Sequence, residues 1–328
     1  PAPSPKSTQV ERSLQSIMLL SFSAPMIKTL RFVPLSIRDF AILSAYKKPE
    51  QATHITSHWL RFSKDIDITD DQGNPKSLFI AIAFALEHDQ KKNSDKIIPV
   101  KGGGRVFIYF PAEKEHSGLL FHINAPFAST VARDSVRNCA DNNKLIGAVA
   151  DLVTENLNEI KRLGFMNHQF FEVLTNDKDD LTAFYQQILE AIRRAFQKSA
   201  FLPAKRGGYI PAKSAIMGPS SISDVLSPND MKNLFSLNKV WIRNAAQKNS
   251  RVYNFIRSMQ VQEFENNDFE CVFDEDHRSQ SEHYIASKPK IWVRDFYLLC
   301  ANRYDDFFED AQQTRFILGT DGKMYKSD

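Results

Sequence analysis

Two strongly apolar runs, separated by a short polar turn, constrain the fold of this chain more than any other sequence feature. The runs are residues 106–110 and 119–127, and the turn between them is residues 113–118. Short apolar runs bounded by turn residues are typical of buried strands. We therefore predict a hairpin of buried strands, followed by a basic, helix-opening segment over residues 129–135. Arg133 in that segment would lie on a loop at the sheet edge, where a cation is well placed to meet an anion.

Composition narrows the class of protein. The 328 residues are enough for two domains, and the hydrophobic share of 42% with a charged share of 25% is ordinary for a soluble globular chain. The three cysteines, Cys139, Cys271 and Cys300, are odd in number and widely spaced, so we expect neither a disulfide framework nor a metal site. This cysteine usage is typical of a reducing cytoplasm, where we expect the protein. No apolar run is long enough to span a bilayer, so we expect no membrane partner.

The first half of the chain combines strand and helix patterns. Apolar alternation and a continuous apolar run predict strands over residues 56–62 and 78–86. Apolar residues that recur at intervals of three and four predict helices over residues 134–164 and 181–196. Residues 201–219 hold three Pro and three Gly without a helical period, so we expect a domain boundary there.

The second half predicts mainly helices. We expect helices over residues 230–234, 241–246, 251–259 and 290–303, and a strand over residues 269–273. Residues 315–325 should form a closing hairpin with its turn at Asp321-Gly322. Strands followed by helices and a mixed tail favour an α+β class. We expect three regions: a mobile N-terminus and connector helix (1–26), a middle domain (27–200) and a smaller mixed α/β, mainly helical C-terminal domain (201–328).

The two apolar runs carry a family resemblance. The first ends in Phe110-Pro111, and after the turn comes the pattern Gly-Leu-x-Phe-His-x-Asn-x-x-Phe over residues 118–127, with Arg133 a few residues on. This resembles the middle, or transducer, domain of GHKL ATPases. These are the Bergerat-fold enzymes that include gyrase-like, histidine-kinase-like and heat-shock-chaperone-like proteins, and the likeness is to the sacsin type. The resemblance implies a mixed sheet with helices on one face.

The resemblance also implies a function. In that family a basic residue on a transducer loop reaches the terminal phosphate held by a separate ATP-binding domain. Here that residue would be Arg133, with Arg137 as the alternative. The N-terminal ATP-binding domain would be the partner and would supply ATP and Mg²⁺. The sequence itself lacks a Gly-Lys-Ser/Thr phosphate loop and the family's Asp-x-Gly-x-Gly loop. The chain begins with Pro rather than Met, so we expect a fragment without cofactor or activity of its own.

Two histidine patterns suggest sites of lower specificity. His122 and Asn124 share one face of the second predicted strand, where they would line a cofactor site or satisfy buried backbone groups. The second role is the commoner one. His54 and His58 lie four residues apart without a third ligand, so a half-exposed strand edge explains them better than a metal does.

Two other functional classes remain open. Basic residues with interleaved aromatics can follow a nucleic-acid backbone, as in a bacterial DNA-processing or defence protein. The candidate residues are Arg193, Arg194, Lys198, Lys205, Arg206 and Lys213. The plainer interpretation is a solvated helix face that runs into a basic loop, with the acidic stretches 263–276 and 305–310 as partners in the fold or in a homodimer. The other class is a chaperone-like module that binds proteins.

Overall fold

The computed structural model describes residues 39–46, 55–69, 75–89, 94–243 and 246–326. The chain divides into two compact units between Ala195 and Phe196. Helices are joined to mixed sheets, so the fold is α+β. Among the described residues, no helix combines the length and the apolar character needed to cross a bilayer.

A six-stranded mixed sheet forms the centre of the first unit. Its strands are β1 (Asp39–Tyr46), β2 (Ile55–Thr69), β3 (Pro75–Asp89), β4 (Ser94–Ile98), β5 (Val106–Phe107) and β6 (His122–Asn124). The order is β1-β2-β3-β6-β5, and β4 pairs with the last residues of β3. All pairings are antiparallel except that of β5 with β6. β5 ends the strand order and is therefore an edge strand.

The core of this unit is built on β3. Residues 80–84 are completely buried on both faces, because β3 has neighbours on both sides and helices pack on the sheet. The Phe84 ring contacts the rings of Phe62, Phe121 and Phe170 at centroid distances of 5.0–6.4 Å. The predicted strands at 56–62 and 78–86 are confirmed, and both extend further than predicted.

The predicted hairpin is wrong, because β5 and β6 are parallel. The chain folds back at once after β5, where Phe107 bridges Pro111 in antiparallel fashion. Residues 112–121 then lead back to the end of the sheet where β5 begins, so β6 begins at the same end as β5. Gly104 permits the close packing there, since a Cβ on it would lie 1.9 Å from the Phe121 carbonyl oxygen.

Four helices follow the sheet in the described part of the first unit. They are α1 (Ala140–Glu155), α2 (Leu157–Arg162), α3 (His168–Val173) and α4 (Ala183–Lys198), the last of which crosses the boundary between the units. The predicted helix over 134–164 is corrected at its start, since residues 134–139 form a loop and bends. It is also interrupted at Asn156, whose buried side chain donates to the Leu152 carbonyl. The predicted helix over 181–196 is confirmed as α4.

The second unit surrounds a small parallel sheet with helices. Its strands are β7 (Leu202–Pro203), β8 (Tyr209–Ile210), β9 (Ala215–Met217), β10 (Val240–Trp241), β11 (Gln262–Glu263), β12 (Ile317–Leu318) and β13 (Met324–Tyr325). The three-stranded sheet has the order β10-β9-β11. The helices are α5 (Ser220–Val225), α6 (Pro228–Phe235), α7 (Arg251–Ser258), α8 (Glu275–Ala286), α9 (Lys290–Arg303) and α10 (Phe307–Gln313), with short 3₁₀ helices at Ala212–Ser214 and Asn266–Val272.

Predictions for this unit are partly corrected. The helix expected over 241–246 is wrong where the structure describes it, because Val240–Trp241 pairs with β9. The strand expected over 269–273 is a 3₁₀ helix, because Glu265 and Asp268 form a reciprocal capping box at its start. The helix over 290–303 and the closing hairpin are confirmed. The connector helix in residues 1–26, His54 and residues 70–74 lie outside the described residues.

Candidate functional site

Residues 128–137, which we call the Arg133 loop, leave the sheet and return on themselves just after β6. Ser129 and Val136 form an antiparallel bridge. The Thr130 amide donates to the Ser135 carbonyl at 3.1 Å, and the Arg137 amide donates to the Ala128 carbonyl at 2.9 Å. The two sides of the loop are therefore held together by backbone hydrogen bonds, and residues 131–134 form its tip.

The Asp134 carboxylate stabilises the tip through hydrogen bonds within the loop and an ion pair outside it. It accepts hydrogen bonds from the hydroxyls of Thr130 at 3.0 Å and Ser135 at 3.2 Å. It also pairs with the Lys114 ammonium at 2.7 Å. Lys114 first and then the hydroxyls hold the pKa of Asp134 down at about 2. Asp134 is thus occupied by other groups although it follows Arg133 directly in sequence.

Two further side chains fasten the base. Glu115 accepts a hydrogen bond from the Val136 amide at 2.7 Å and another from the Tyr185 hydroxyl on α4 at 2.8 Å. Asn142, on α1, is fully buried. Its amide accepts from the Ala128 amide at 2.8 Å and donates to the carbonyls of Ala128 and Arg137. The loop is therefore tied to two helices and to the turn before β6.

Arg133 itself is exposed at the tip. Its φ of +59° lies in the left-handed region, which is unusual for a residue other than Gly and costs about 1–2 kcal/mol. Val131 beside it is fully exposed. Within the part of the chain that the structure describes, the Arg133 guanidinium has neither an ion pair nor a hydrogen bond. The loop presents an unpaired cation on a fixed backbone.

Arg137 lies at the base of the Arg133 loop rather than at its tip. Its backbone amide and carbonyl belong to the base of the loop, bonded to Ala128 and Asn142, while its side chain is exposed. Both arginines therefore reach solvent, but Arg133 lies at the tip and Arg137 at the base.

Exposed aromatic residues emerge at the same end of the sheet. Because β5 and β6 are parallel neighbours, the segments that follow them leave at one end. Tyr109 and Phe110 follow β5 and are 62% and 63% exposed, although the sequence predicted them inside a buried strand. The Arg133 loop follows β6. This end therefore combines a cation with apolar surface.

His122 and Asn124 lie together in β6, as predicted, but inside the core. They are 2% and 4% exposed. The His122 Nδ1 accepts a hydrogen bond from the Arg105 amide at 2.8 Å, and its ring packs against Trp59. Burial lowers the pKa of His122 to about 4, so the imidazole is neutral. The described contacts make His122 a packing residue that satisfies a backbone donor. Asn124 Oδ1 is buried without a partner among the described residues.

The six basic candidates near the unit boundary differ in their partners. Arg193, in the first unit, pairs with both Asp177 and Glu190 at 2.6 Å. Lys205, in the second unit, pairs with Asp224 at 2.5 Å. The remaining four are exposed: Arg194, Lys198, Arg206 and Lys213. His58, the described member of the other histidine pair, lies 3.2 Å from Asp95 in the first unit.

The residues that position Arg133 were not singled out from the sequence. Asp134 follows Arg133 directly but bonds Lys114 and the Thr130 hydroxyl rather than its neighbour. Glu115 and Asn142 act over separations of 21 and 14 residues, which no local pattern indicates. A comparison with protein-family models, curated proteins and solved structures found no match for this chain.

Proposed function

We propose that this chain is the transducer and C-terminal portion of a sacsin-like, Bergerat-fold ATPase. In this proposal a separate N-terminal domain holds ATP and Mg²⁺, and Arg133 reaches the terminal phosphate in trans. The observation that carries the proposal is the Arg133 loop: an exposed, unpaired arginine on a backbone fastened by Asp134, Glu115 and Asn142.

The chemistry asked of Arg133 is electrostatic. Phosphoryl transfer develops charge on the oxygens of the transferred group, and a cation already held in position stabilises that charge without reorganisation. Arginine suits this role because its planar guanidinium binds phosphate oxygens through two parallel hydrogen bonds. An arginine engaged by Asp134 would first have to break that pair. Lys114 and the loop hydroxyls occupy Asp134 instead.

Coupling follows from the same contact. If Arg133 binds the terminal phosphate only while ATP is intact, ATP and ADP favour different arrangements of the two domains. The fastened loop would pass that difference to the sheet and to α1, because Asn142 joins the loop to this helix. Conformational change and partner binding would then depend on the nucleotide state.

Reconstitution tests this proposal. ATP hydrolysis is measured for this chain alone, for the residues encoded immediately upstream alone, and for the two parts joined. We expect hydrolysis above the level of either part only when both are present. Equal turnover by the upstream part with and without this chain would contradict the proposal.

A protein-binding module is the second candidate, and Tyr109, Phe110 and Val131 favour it. These apolar side chains are more than half exposed, and exposed apolar surface commonly marks interaction sites. Binding of an unfolded protein that changes little between low and high salt would support this function. Binding to duplex DNA that weakens steeply with salt would instead favour the nucleic-acid alternative.

A further inference from the structure

A thiol, a carboxylate and an imidazole converge at the start of α8 in the second unit. The ligand atoms of Cys271, Asp274 and His277 all lie within 4.8 Å of one another. Cys271 belongs to the 3₁₀ helix Asn266–Val272, Asp274 directly precedes α8, and His277 lies in its first turn. Three residues spaced three apart are thus brought together where the chain passes from one helix to the next.

Among the described residues, no hydrogen bond or ion pair engages these three side chains. Cys271 is a free thiol. Asp274 occupies the helix-capping position, where an aspartate commonly accepts a hydrogen bond from the first turn, yet its carboxylate caps no amide. The His277 Nδ1 is buried without a hydrogen-bond partner. A buried nitrogen without a partner costs about 1–3 kcal/mol, and a ligand bound to Nδ1 would remove that cost.

We propose that Cys271, Asp274 and His277 bind one Zn²⁺ ion. Thiolate and imidazole ligands select zinc and related transition ions, whereas Mg²⁺ and Ca²⁺ prefer oxygen ligands alone. Around a tetrahedral zinc, sulfur and nitrogen ligand atoms lie about 3.6 Å apart. Since no separation exceeds 4.8 Å, binding needs a contraction of at most about 1 Å.

Three protein ligands leave one position of a tetrahedral ion open. A shallow cavity of about 250 Å³ adjoins Cys271 and Asp274, and Asn267, Asp268 and Glu270 also line it. The open position would face this cavity and hold water. The bound ion would tie the 3₁₀ helix to α8 and so stabilise the second unit. This site is independent of Arg133 and of the proposed ATPase function.

Cobalt titration of the full chain tests the site. Co²⁺ replaces Zn²⁺ in such sites, and a cysteine ligand gives a thiolate-to-cobalt charge-transfer band in the near ultraviolet. We expect the band to saturate at one equivalent and to disappear when Zn²⁺ is added. Cys271→Ser should abolish the band. Cys139→Ser is the matched control, because Cys139 is a free, partly exposed thiol in the first unit, and it should leave the band unchanged.

A second variant keeps the test decisive if Cys271→Ser fails to fold. His277→Gln retains the thiolate, so the charge-transfer band should remain while the affinity for Zn²⁺, measured by competition with a chromophoric chelator, falls by about tenfold or more. The proposal is overturned if the band survives Cys271→Ser, if no saturable band forms, or if His277→Gln leaves the affinity for Zn²⁺ unchanged.

Discussion

The Arg133 loop and the basic segment over residues 193–213 both carry cations, but the structure pairs two of the cations in the segment and leaves Arg133 unpaired. In the loop, the neighbouring acid Asp134 is engaged by Lys114 and by hydroxyls, which leaves Arg133 unpaired. In the basic segment, carboxylates neutralise Arg193 and Lys205. The number of basic residues in a stretch is therefore a poor measure of the positive charge offered to a ligand.

The largest expected effect concerns how the loop is fastened. Asn142→Ala should lower the free energy of unfolding by about 3 kcal/mol, because the Ala128 amide and the Arg137 carbonyl lose their partner, while the Ala128 carbonyl keeps only the Arg137 amide. Urea denaturation measures this. Asn143→Ala is the matched control, since Asn143 is exposed on the same helix, and it should change stability by less than about 0.5 kcal/mol. Equal effects of the two would show that Asn142 does not hold the loop.

A smaller effect is expected in the basic segment. Arg193 is only 17% exposed and bonds two carboxylates, so Arg193→Ala should cost about 1 kcal/mol of unfolding free energy. The adjacent Arg194 is exposed, and Arg194→Ala should cost less than about 0.5 kcal/mol. Thermal and urea denaturation of the two variants, compared side by side, measures the difference. If the two variants have the same free energy of unfolding, the ion pairs of Arg193 do not stabilise the fold, and the contrast with the exposed Arg194 is lost.

A local effect on pH dependence is expected at Asp134. The folded-state pKa is lowered from 3.8 to about 2, so the stabilisation from this carboxylate is fully present above pH 3.8 and is lost as the pH falls through about 2. Amide protection of Thr130 and Arg133, corrected for intrinsic exchange rates, should therefore be constant above about pH 4 and fall progressively as the pH is lowered towards about 2. In Asp134→Asn the protection should be lower throughout and should not depend on this ionisation.

The control for that measurement is Asp141→Asn, which removes an exposed carboxylate that pairs with Lys144 on α1. It should leave protection of the loop amides unchanged. Protection in Asp134→Asn equal to that of the unaltered chain would mean that the backbone bridge alone orders the loop.

Sequence patterns predicted the elements whose formation depends on local periodicity. The continuous apolar run at 78–86 predicted β3, and the run at 290–303 predicted α9 with its observed bounds. The parallel pairing of β5 and β6 could not be predicted, because it depends on the reversal at Phe107–Pro111 rather than on apolar content. The strand expected at 269–273 failed because a capping box outweighed the apolar residues.

The candidate site was likewise predicted only in part from the sequence. An exposed loop with Arg133 was predicted from the position of the arginine after an apolar run. Its fastening was not, because Glu115, Tyr185 and Asn142 come from separate elements that meet only in the folded chain. Cys271, Asp274 and His277 were also missed, because cysteine counting discounts a single thiol. The spacing Cys-x-x-Asp-x-x-His would have indicated them only together with a bend before α8.

The central claim is that Arg133 supplies the phosphate contact from a preformed loop. The direct test is ATP turnover in this chain joined to the proposed ATP-binding domain, with Arg133→Gly and Arg137→Ala compared. Glycine removes the side chain and suits the positive φ at this position, so Arg133→Gly should fold with undiminished stability. We predict that Arg133→Gly lowers turnover by about 10²–10³-fold and that Arg137→Ala changes it little. Unchanged turnover in Arg133→Gly would contradict the account.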